Sequence, residues 1–193
     1  MDLNQANELV RGRLSEKRYQ HTLNVRDQAV HLAEKYGADP HKAALAALLH
    51  DAAKELPRAE LLQILRDNAI MAGNTQAQPA PVWHGPCAAI LCRTQWGVQD
   101  EEVLSAIACH TTGKPGMSKL DKIIYLADMT SAERSYPEVY ELRDLAEQDL
   151  DRAMITALGK NLAWMEECGK PVDPLSRQTY DDLLRSYNGG HSK

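Results

Sequence analysis

The residues best suited to chemistry are a histidine and an aspartate that stand side by side in an apolar stretch. His50 and Asp51 follow six apolar residues in ALAALLHDAAK. Burying an imidazole beside a carboxylate is costly unless both groups have polar partners. A divalent metal ion satisfies both groups at once. The dipeptide alone leaves open the alternative that the two side chains pair with each other or with backbone groups.

Two more residues of metal-ligand type are predicted to face inward from other helices. His21 lies on the apolar stripe of its helix in RYQHTLNV, and Asp128 directly follows the apolar run in KIIYLAD. Taken singly, each is more typical of a satisfied core histidine, a helix cap or a salt-bridge partner. Together with His50 and Asp51, they provide two imidazoles and two carboxylates. That set suits iron, manganese, cobalt or zinc in a catalytic site.

The elements that must position these residues are predicted to be helices almost everywhere. No stretch alternates apolar and polar residues with β-branched enrichment, and no Asn-Gly or Asp-Gly hairpin turn occurs. Helix-capping and helix-ending residues divide the chain instead. The predicted helices cover about residues 16–36, 40–56, 57–68, 86–96, 101–110, 119–134, 139–148, 150–168 and 174–187. We therefore predict one all-α bundle of about eight or nine helices over residues 1–193, with a loop at 69–81.

Composition excludes several classes of function. The 193 residues are 44% apolar and 25% charged, as in globular proteins, and no apolar run is long enough to span a membrane. The formal net charge of −5 argues against broad nucleic-acid binding. The four cysteines have no C-x-x-C spacing and no export signal precedes them, so we expect reduced thiols and a cytoplasmic protein.

The order H…HD…D in a helical chain resembles the HD-domain metal-dependent phosphohydrolases. Within them the chain is similar to the YqeK family, the HD-domain symmetrical bis(5′-nucleosyl)-tetraphosphatases. The segments that carry this resemblance are RYQHTLNV, ALLHDAAK, HGPCAAIL, DEEVLSAIACHTTG, LDKIIYLAD and LRDLAEQDLDRA. The resemblance implies a single HD-domain bundle with a core at about 16–153, whose C-terminal helices at 154–188 complete a nucleotide pocket.

The resemblance also implies the residues of the site. Its metal ligands fall on His21, His50, Asp51 and Asp128, with iron as the cation. Its nucleotide and phosphate contacts fall on Arg18, His84, His110, Thr111, Asp128 and Arg134. Its C-terminal purine-contacting loop falls on Asp173, Pro174, Leu175, Ser176, Arg177, Gln178 and Thr179. In that loop the family has roughly His-Pro-x-Thr followed by Arg-Asn, whereas this chain has DPLS followed by Tyr180-Asp181.

Basic residues near the ligand positions fit a polyphosphate substrate. Lys54 follows His50 by four residues and Arg18 precedes His21 by three, so each is predicted to lie one helical turn from a ligand. Arginine is the usual bidentate partner of phosphate. We expect Lys54 to act in catalysis beside Asp51, which orients the nucleophile.

Two further histidines are assigned to the same site. We expect His110 to contact phosphate or to protonate the departing oxygen, and His84 to share that role. A second metal ion on His84 and His110 remains an open alternative.

The expected reaction is metal-dependent hydrolysis, in which a metal-held hydroxide attacks a phosphoanhydride. The resemblance implies the substrate, diadenosine tetraphosphate, which is cut at its centre into two ADP. Another HD-type nucleotide phosphohydrolase or phosphodiesterase, a non-catalytic nucleotide-binding HD module, and a purely structural helical protein remain as alternatives. We expect no nucleic-acid or membrane partner. The sequence leaves open the number of metal ions, the preference for adenine or guanine, and the oligomeric state, a homodimer included.

Overall fold

The computed structural model describes residues 1–68 and 79–190, and in that part of the chain it shows ten α-helices, one short 3₁₀ helix and no strand. The α-helices are α1 (Leu3–Arg13), α2 (Glu16–Tyr36), α3 (Pro40–Leu49), α4 (Arg58–Asp67), α5 (His84–Thr94), α6 (Glu101–Cys109), α7 (Lys119–Thr130), α8 (Val139–Gln148), α9 (Leu150–Glu167) and α10 (Pro174–Gly190). The 3₁₀ helix is Ala80–Val82. The all-α prediction is confirmed, while most of the predicted loop at 69–81 lies outside the described residues.

Most helix boundaries follow from local capping chemistry. Ser15 accepts a hydrogen bond from the backbone N–H of Arg18, and α2 ends at Gly37, whose φ of 64° is the left-handed conformation that glycine adopts without strain. Asp39 and Asp100 cap α3 and α6 in the same way. Because these signals lie within a few residues of each helix end, the sequence was sufficient to predict them.

Helix α1 was not predicted, and with it the described chain has one helix more than the upper estimate of nine. Asp2 caps α1 by accepting a hydrogen bond from the backbone N–H of Gln5, whose side chain bonds back to Asp2. Ala6 and Val10 bury the inner face of the helix against α3. The stabilisation therefore comes largely from a partner that lies 30 or more residues away in the chain.

Several predicted boundaries were wrong by a few residues, and one of these matters for the site. The helix predicted over 40–56 ends at Leu49, and residues 50–55 form successive turns. His50 Nδ1 lies 2.6 Å from the carbonyl oxygen of Ala47, a group that the last turn of a helix leaves unpaired. Similarly, α5 begins at His84 rather than at residue 86, and α7 ends at Thr130 rather than near 134.

Helix α3 is the centre of the bundle. Its residues from Ala43 to Leu49 are all buried, as expected of a helix that is apolar on every side. It packs against α1, α2, α6 and α7, and α2 and α7 also pack against each other. Helix α6 in turn contacts α5 and α7. The C-terminal end of α3 is therefore the place where residues of α2, α5, α6 and α7 can meet.

No helix in the described ranges is both long enough and apolar enough to cross a bilayer.

Candidate metal centre

His21, Asp128 and the pair His50–Asp51 meet where α2, α3 and α7 join. His21 Nε2 lies 3.1 Å from Oδ1 of Asp128 and 3.7 Å from Oδ2 of Asp51. His50 Nε2 lies 3.5 Å from the same Asp51 oxygen. Ligand atoms that bind one transition metal at about 2.1 Å lie roughly 3.0 to 3.4 Å apart. The spacing of these four side chains is therefore close to that of a coordination shell.

Buried polar atoms without a hydrogen-bond partner mark the same cluster. Within the described residues these atoms include His21 Nε2, His50 Nε2 and Asp51 Oδ1. An unpaired buried polar atom costs about 1–3 kcal/mol, so native structures hold few of them. Three such atoms in one cluster, all of metal-ligand type, fit a cation better than they fit a self-contained polar core.

Each imidazole is held through its Nδ1 atom, so its Nε2 atom faces the cluster. In His50, His84 and His110 the Nδ1 atom lies 2.6 to 2.8 Å from the carbonyl oxygen three residues earlier. In His21 the Nδ1 atom instead contacts Oε1 of Glu133. A proton on Nδ1 leaves the lone pair on Nε2, which is the arrangement of a histidine metal ligand.

The protonation of the histidines divides them into two groups. Burial lowers the pKa of His50 to about 4 and also lowers the pKa of His84, so both imidazoles are neutral near pH 7. Burial also opposes protonation of His21, but the carboxylates of Asp128 and Glu133 outweigh it and raise the pKa of His21. A metal that binds His21 must therefore compete with a proton.

Both ligand-type aspartates are ionised. Burial would raise the pKa of Asp51, whose side chain is 3% exposed, but His50 and the other imidazoles around it hold that pKa well below its usual value. Burial would likewise raise the pKa of Asp128, but the contacts with His21 and Arg134 hold it well below its usual value. The cluster therefore offers two anionic oxygen ligands beside its imidazoles.

His84 and His110 form a second group of side chains, which contacts the Asp51 oxygen that does not face His21 and His50. The Nε2 atoms of His84 and His110 lie 3.2 and 3.6 Å from Oδ1 of Asp51 and 3.0 Å from each other. The ring centroids of His50 and His110 are 4.9 Å apart, so the two groups are continuous. Asp51 therefore faces imidazoles with both of its oxygens.

Lys54 belongs to this second group, although the reason given for it was wrong. Because α3 ends at Leu49, no helical turn relates Lys54 to His50. The turns that follow α3 instead carry its ammonium group to 3.2 Å from Nε2 of His84. Partial burial of that ammonium group lowers the pKa of Lys54.

The two predicted phosphate-binding arginines lie at the edge of the cluster, each against a carboxylate. Arg18 places its NH1 atom 2.9 Å from Oδ2 of Asp51. Arg134 donates to Oδ1 of Asp128 at 2.5 Å and to the Asp128 carbonyl oxygen at 2.9 Å. Both guanidinium groups are partly exposed, so they are accessible to a ligand that approaches from solvent.

The turn after α6 joins this site to the C-terminal helix. Thr111 follows His110, and its Oγ1 atom is buried without a hydrogen-bond partner. Gly113 has a φ of 68°, and a Cβ atom there would meet Cγ2 of Thr179 at 2.5 Å. Only glycine lets α10 pack this closely on the turn. The turn that carries Thr111 and the start of α10 therefore lie against each other.

The predicted purine-contacting segment begins with a cap rather than a loop. Asp173 Oδ1 accepts a hydrogen bond from the backbone N–H of Leu175 at 2.8 Å, and the other carboxylate oxygen is buried without a partner. Pro174 opens α10 and is exposed. The helix start at Pro174 was predicted from the sequence, because an Asp-Pro pair favours one, and it is confirmed; the loop implied by the resemblance is instead the start of this helix.

The other residues of that segment point in different directions because they lie on a helix. Ser176 and Thr179 are buried, and the Thr179 hydroxyl donates to the carbonyl oxygen of Leu175 at 2.7 Å. Gln178 is exposed, and Arg177 pairs with Glu166 of α9. The structure thus does not bring all seven residues to the histidine cluster.

A mostly apolar cavity of about 590 Å³ lies along α5 and α6 and reaches Asp173 and Leu175. Its wall includes Pro86 and Ala108, which lie two positions from His84 and His110. Positions two apart point to nearly opposite sides of a helix. Neither His84 nor His110 is among the residues that line this cavity.

One residue of the site was missed by the sequence reasoning. Glu133, in the α7–α8 loop, contacts His21 through Oε1 and accepts a hydrogen bond from Asn24 Nδ2 through Oε2 at 2.7 Å. Burial would raise the pKa of Glu133, but the hydrogen bonds from His21 and its other partners lower it. A buried histidine needs a partner for its second ring nitrogen, and a search for such a partner of His21 could have suggested Glu133 from the sequence.

Comparison with known proteins agrees with this geometry. The HD domain family matches residues 18–133, which is more than half of the chain and includes His21, His50, Asp51 and Asp128. The fold and the cluster are thus those of an HD-domain protein.

More specific relatives extend the match over almost the whole chain. The symmetrical bis(5′-nucleosyl)-tetraphosphatase of Bacillus subtilis (strain 168) is 40% identical over 184 residues, which cover 95% of this chain and 98% of that protein. The protein of the same name from Staphylococcus aureus (strain NCTC 8325 / PS 47) is 33% identical over 94% of this chain and 97% of its own length. This chain belongs to the HD-domain family of symmetrical bis(5′-nucleosyl)-tetraphosphatases.

A solved structure supports the fold over the same length. It is a predicted HD superfamily hydrolase involved in NAD metabolism from Clostridium acetobutylicum, with a TM-score of 0.92 and 34% identity. The alignment covers 96% of this chain and 98% of that one.

Proposed function

We propose that this chain hydrolyses bis(5′-nucleosyl) tetraphosphates at their centre, so that diadenosine tetraphosphate yields two ADP. The names of relatives that are 33–40% identical over at least 94% of the chain support the substrate class. The observation that carries the hydrolytic part is the buried cluster in which two imidazole Nε2 atoms and a carboxylate oxygen lack partners.

The residues that would hold a metal are His21, His50, Asp51 and Asp128. Mixed imidazole and carboxylate donors suit iron, manganese, cobalt or zinc, and iron is the ion we propose. When bound, such a cation supplies Lewis-acid activation of water and of a phosphoryl oxygen. The rest of the reaction depends on the chain's own side chains.

Asp51 is proposed to orient the attacking water. Its Oδ2 atom faces His21 and His50, while Oδ1 faces the second group of histidines and has no hydrogen bond. A free carboxylate oxygen at that position can accept a hydrogen bond from water and aim the water oxygen at a central phosphorus. The new oxygen–phosphorus bond forms as the bond from phosphorus to the bridging oxygen breaks.

Three basic residues are proposed to compensate the charge of the phosphates. Lys54 lies against His84, while Arg18 and Arg134 lie against the carboxylates of the cluster. Fixed cations around a transferred phosphoryl group lower the barrier because they need no reorganisation during the reaction. Arginine adds bidentate geometry.

The pair His84–His110 is proposed to supply the proton that the departing oxygen needs. Both Nδ1 atoms face backbone carbonyls, so a hydrogen bond between the two Nε2 atoms, 3.0 Å apart, requires one extra proton on the pair. Transfer of that proton from His110 Nε2 to the bridging oxygen releases one ADP, and the attacking water, which loses a proton to solvent, becomes part of the other ADP, so that one water is consumed. His110 is therefore our choice of general acid.

The nucleoside part of the substrate is proposed to contact Thr111 and the segment 173–179. The close packing of Gly113 on Thr179 supports this, because it joins the turn after His110 to the start of α10. On this proposal residues 1–193 form one HD domain, in which the helices at 154–188 complete the nucleotide pocket around a core at about 16–153. We also propose a cytoplasmic location, supported by four free cysteines of which three are buried.

Product analysis in ¹⁸O-labelled water tests this function. We expect diadenosine tetraphosphate to give ADP as the single nucleotide product, with one ¹⁸O on the β-phosphate of half of the ADP molecules. ATP together with AMP would contradict the symmetrical cut, and nucleotide binding without turnover in the metal-loaded protein would contradict catalysis. The Lys54→Met variant tests the proposed charge compensation separately from metal binding. It is expected to keep its metal and lose about 10- to 100-fold in kcat/KM.

A further inference from the structure

His21 is held differently from the other three histidines of the site. His50 and His110 follow the last residue of α3 and of α6, so the carbonyl oxygens three residues before them belong to the last turn of a helix. Such carbonyl groups have no partner within the helix and are free to accept from Nδ1. His84 similarly uses the carbonyl oxygen of Pro81, just before α5. All three depend on their own local backbone.

His21 has no such local acceptor. It lies six residues into α2, which runs from Glu16 to Tyr36, and the carbonyl groups of the preceding turn are engaged in the helix. Its Nδ1 atom therefore depends on a side chain from another element. That side chain is Glu133, which is 112 residues away in the sequence.

The carboxylate of Glu133 is itself held by two further hydrogen bonds. Oε1 accepts a hydrogen bond from Ser131 Oγ at 2.8 Å, and Oε2 accepts one from Asn24 Nδ2 at 2.7 Å. Asn24 lies three residues after His21 on α2, so one helix supplies both the imidazole and an amide that fixes its partner. These contacts leave Glu133 a defined position beside His21.

The loop that carries Glu133 is pinned by an arginine of α8. Arg143 donates to the carbonyl oxygen of Thr130 at 2.9 Å, of Ser131 at 2.7 Å and of Arg134 at 3.0 Å. The first of these carbonyl groups belongs to the last turn of α7, where it has no partner within the helix. One guanidinium group thus fixes the loop on both sides of Glu133.

We propose that Glu133 is a positioning residue, which acts through His21 by fixing the tautomer and orientation that present Nε2 to the metal. The inference rests on the proposed metal site and extends it beyond the four ligands. Arg143 contributes by holding the loop in place. Hydrogen bonds of this type to a ligating histidine change metal affinity or activity by about 10- to 100-fold.

Cobalt(II) affinity, measured by competition with a fluorescent chelator, tests the proposal on the full chain. We expect Glu133→Ala to weaken cobalt binding by about 10- to 100-fold and Glu133→Gln, which keeps an oxygen acceptor but loses the charge, to lie between Ala and wild type. The visible absorption of bound cobalt should also change, because the ligand field depends on the orientation of His21. The matched control is Glu147→Ala, which removes a carboxylate 2.8 Å from the exposed His31 and should leave cobalt binding unchanged.

Kinetics separate positioning from a direct catalytic role. Because Glu133 touches the ligand and not the substrate, Glu133→Ala should lower kcat at limiting cobalt, recover most of it at saturating cobalt, and leave KM unchanged. Wild-type cobalt affinity and absorption in Glu133→Ala, with the protein folded as shown by its melting temperature, would overturn the inference. A wild-type chain that binds no cobalt would instead overturn the proposed metal site itself.

Discussion

Asp51, which follows α3, and Asp121, in the first turn of α7, are both aspartates buried inside the bundle, at 2% and 0% exposure. Asp121 is surrounded by donors that belong to the protein. Ser105 donates to its Oδ1 atom at 2.6 Å and the backbone N–H of Ser118 donates to Oδ2 at 2.8 Å, with the Lys114 ammonium 3.2 Å from Oδ2. Its role as part of the α7 capping box explains its burial completely.

Asp51 is arranged in the opposite way. Its neighbours are imidazoles, whose Nε2 atoms lie 3.2 to 3.7 Å from its oxygens, and its Oδ1 atom lacks a hydrogen bond. Arg18 donates to its Oδ2 atom at 2.9 Å from the edge of the cluster. The comparison teaches that burial of a carboxylate does not distinguish structure from function. The distinction lies in whether the protein itself satisfies the lone pairs.

The largest expected effect follows from removing the charge of Asp51. We expect Asp51→Asn to lower turnover of diadenosine tetraphosphate by about 10³-fold or more, or about 4 kcal/mol of barrier, because metal binding and water orientation are lost together. Bound metal should fall in parallel, while the helical circular-dichroism signal stays intact. Steady-state kinetics and elemental analysis of the same sample check this. Turnover within tenfold of wild type would show that Asp51 is not essential.

Removal of the metal should lower the melting temperature only of proteins in which the cluster around Asp51 is intact. At a metal concentration 100 times Kd, binding adds about 2.7 kcal/mol to the free energy of unfolding, which for this length raises the melting temperature by about 5–10 °C. Dialysis against a chelator should therefore lower the melting temperature by that amount in wild type and in Asp121→Asn. It should have no effect on Asp51→Asn, and an equal shift in all three proteins would refute the assignment.

Asp121→Asn should lower the stability of the protein and leave its turnover nearly unchanged. The substitution weakens the cap of α7 and leaves Lys114 without its counter-charge, so we expect a loss of about 2 kcal/mol in the free energy of unfolding. Because no described atom of the cluster depends on Asp121, kcat should stay within about threefold of wild type. Urea unfolding and kinetics at a temperature well below melting measure the two quantities. A loss of turnover with unchanged stability would reverse the roles of the two aspartates.

The smallest expected effect is on the pH dependence of metal affinity. The raised pKa of His21 means that this imidazole carries a proton below that pKa, whereas His50, with a pKa of about 4, does not. Metal binding near pH 6 should therefore release about one proton, and affinity should fall by at most about tenfold per pH unit as the pH drops. Calorimetry in two buffers of different ionisation enthalpy counts the protons. Release of two protons would show that His50 is also charged.

The features that the sequence predicted are those encoded within a few residues. The caps at Ser15, Asp39 and Asp100, and the inward positions of His21 and Asp128, follow from neighbours in the same helix. These signals were sufficient for the all-α fold and for the inward positions of His21 and Asp128.

The features that the sequence did not predict depend on contacts between distant segments. The end of α3 at Leu49 places both Asp51 and Lys54 in the site, yet the residues after it still read as helix. The contact of Glu133 with His21 joins segments more than 100 residues apart. The sequence analysis continued the preceding helix to about residue 134, whereas residues 131–134 form a loop, so the predicted helix could not place Glu133 beside His21.

An anomalous difference map at the absorption edge of the bound metal tests the central claim most directly. In crystals of the metal-loaded protein we predict a peak about 2.0–2.3 Å from the Nε2 atoms of His21 and His50 and from carboxylate oxygens of Asp51 and Asp128. No peak within bonding distance of these four side chains in crystals that contain the metal, or a peak elsewhere only, would contradict the account.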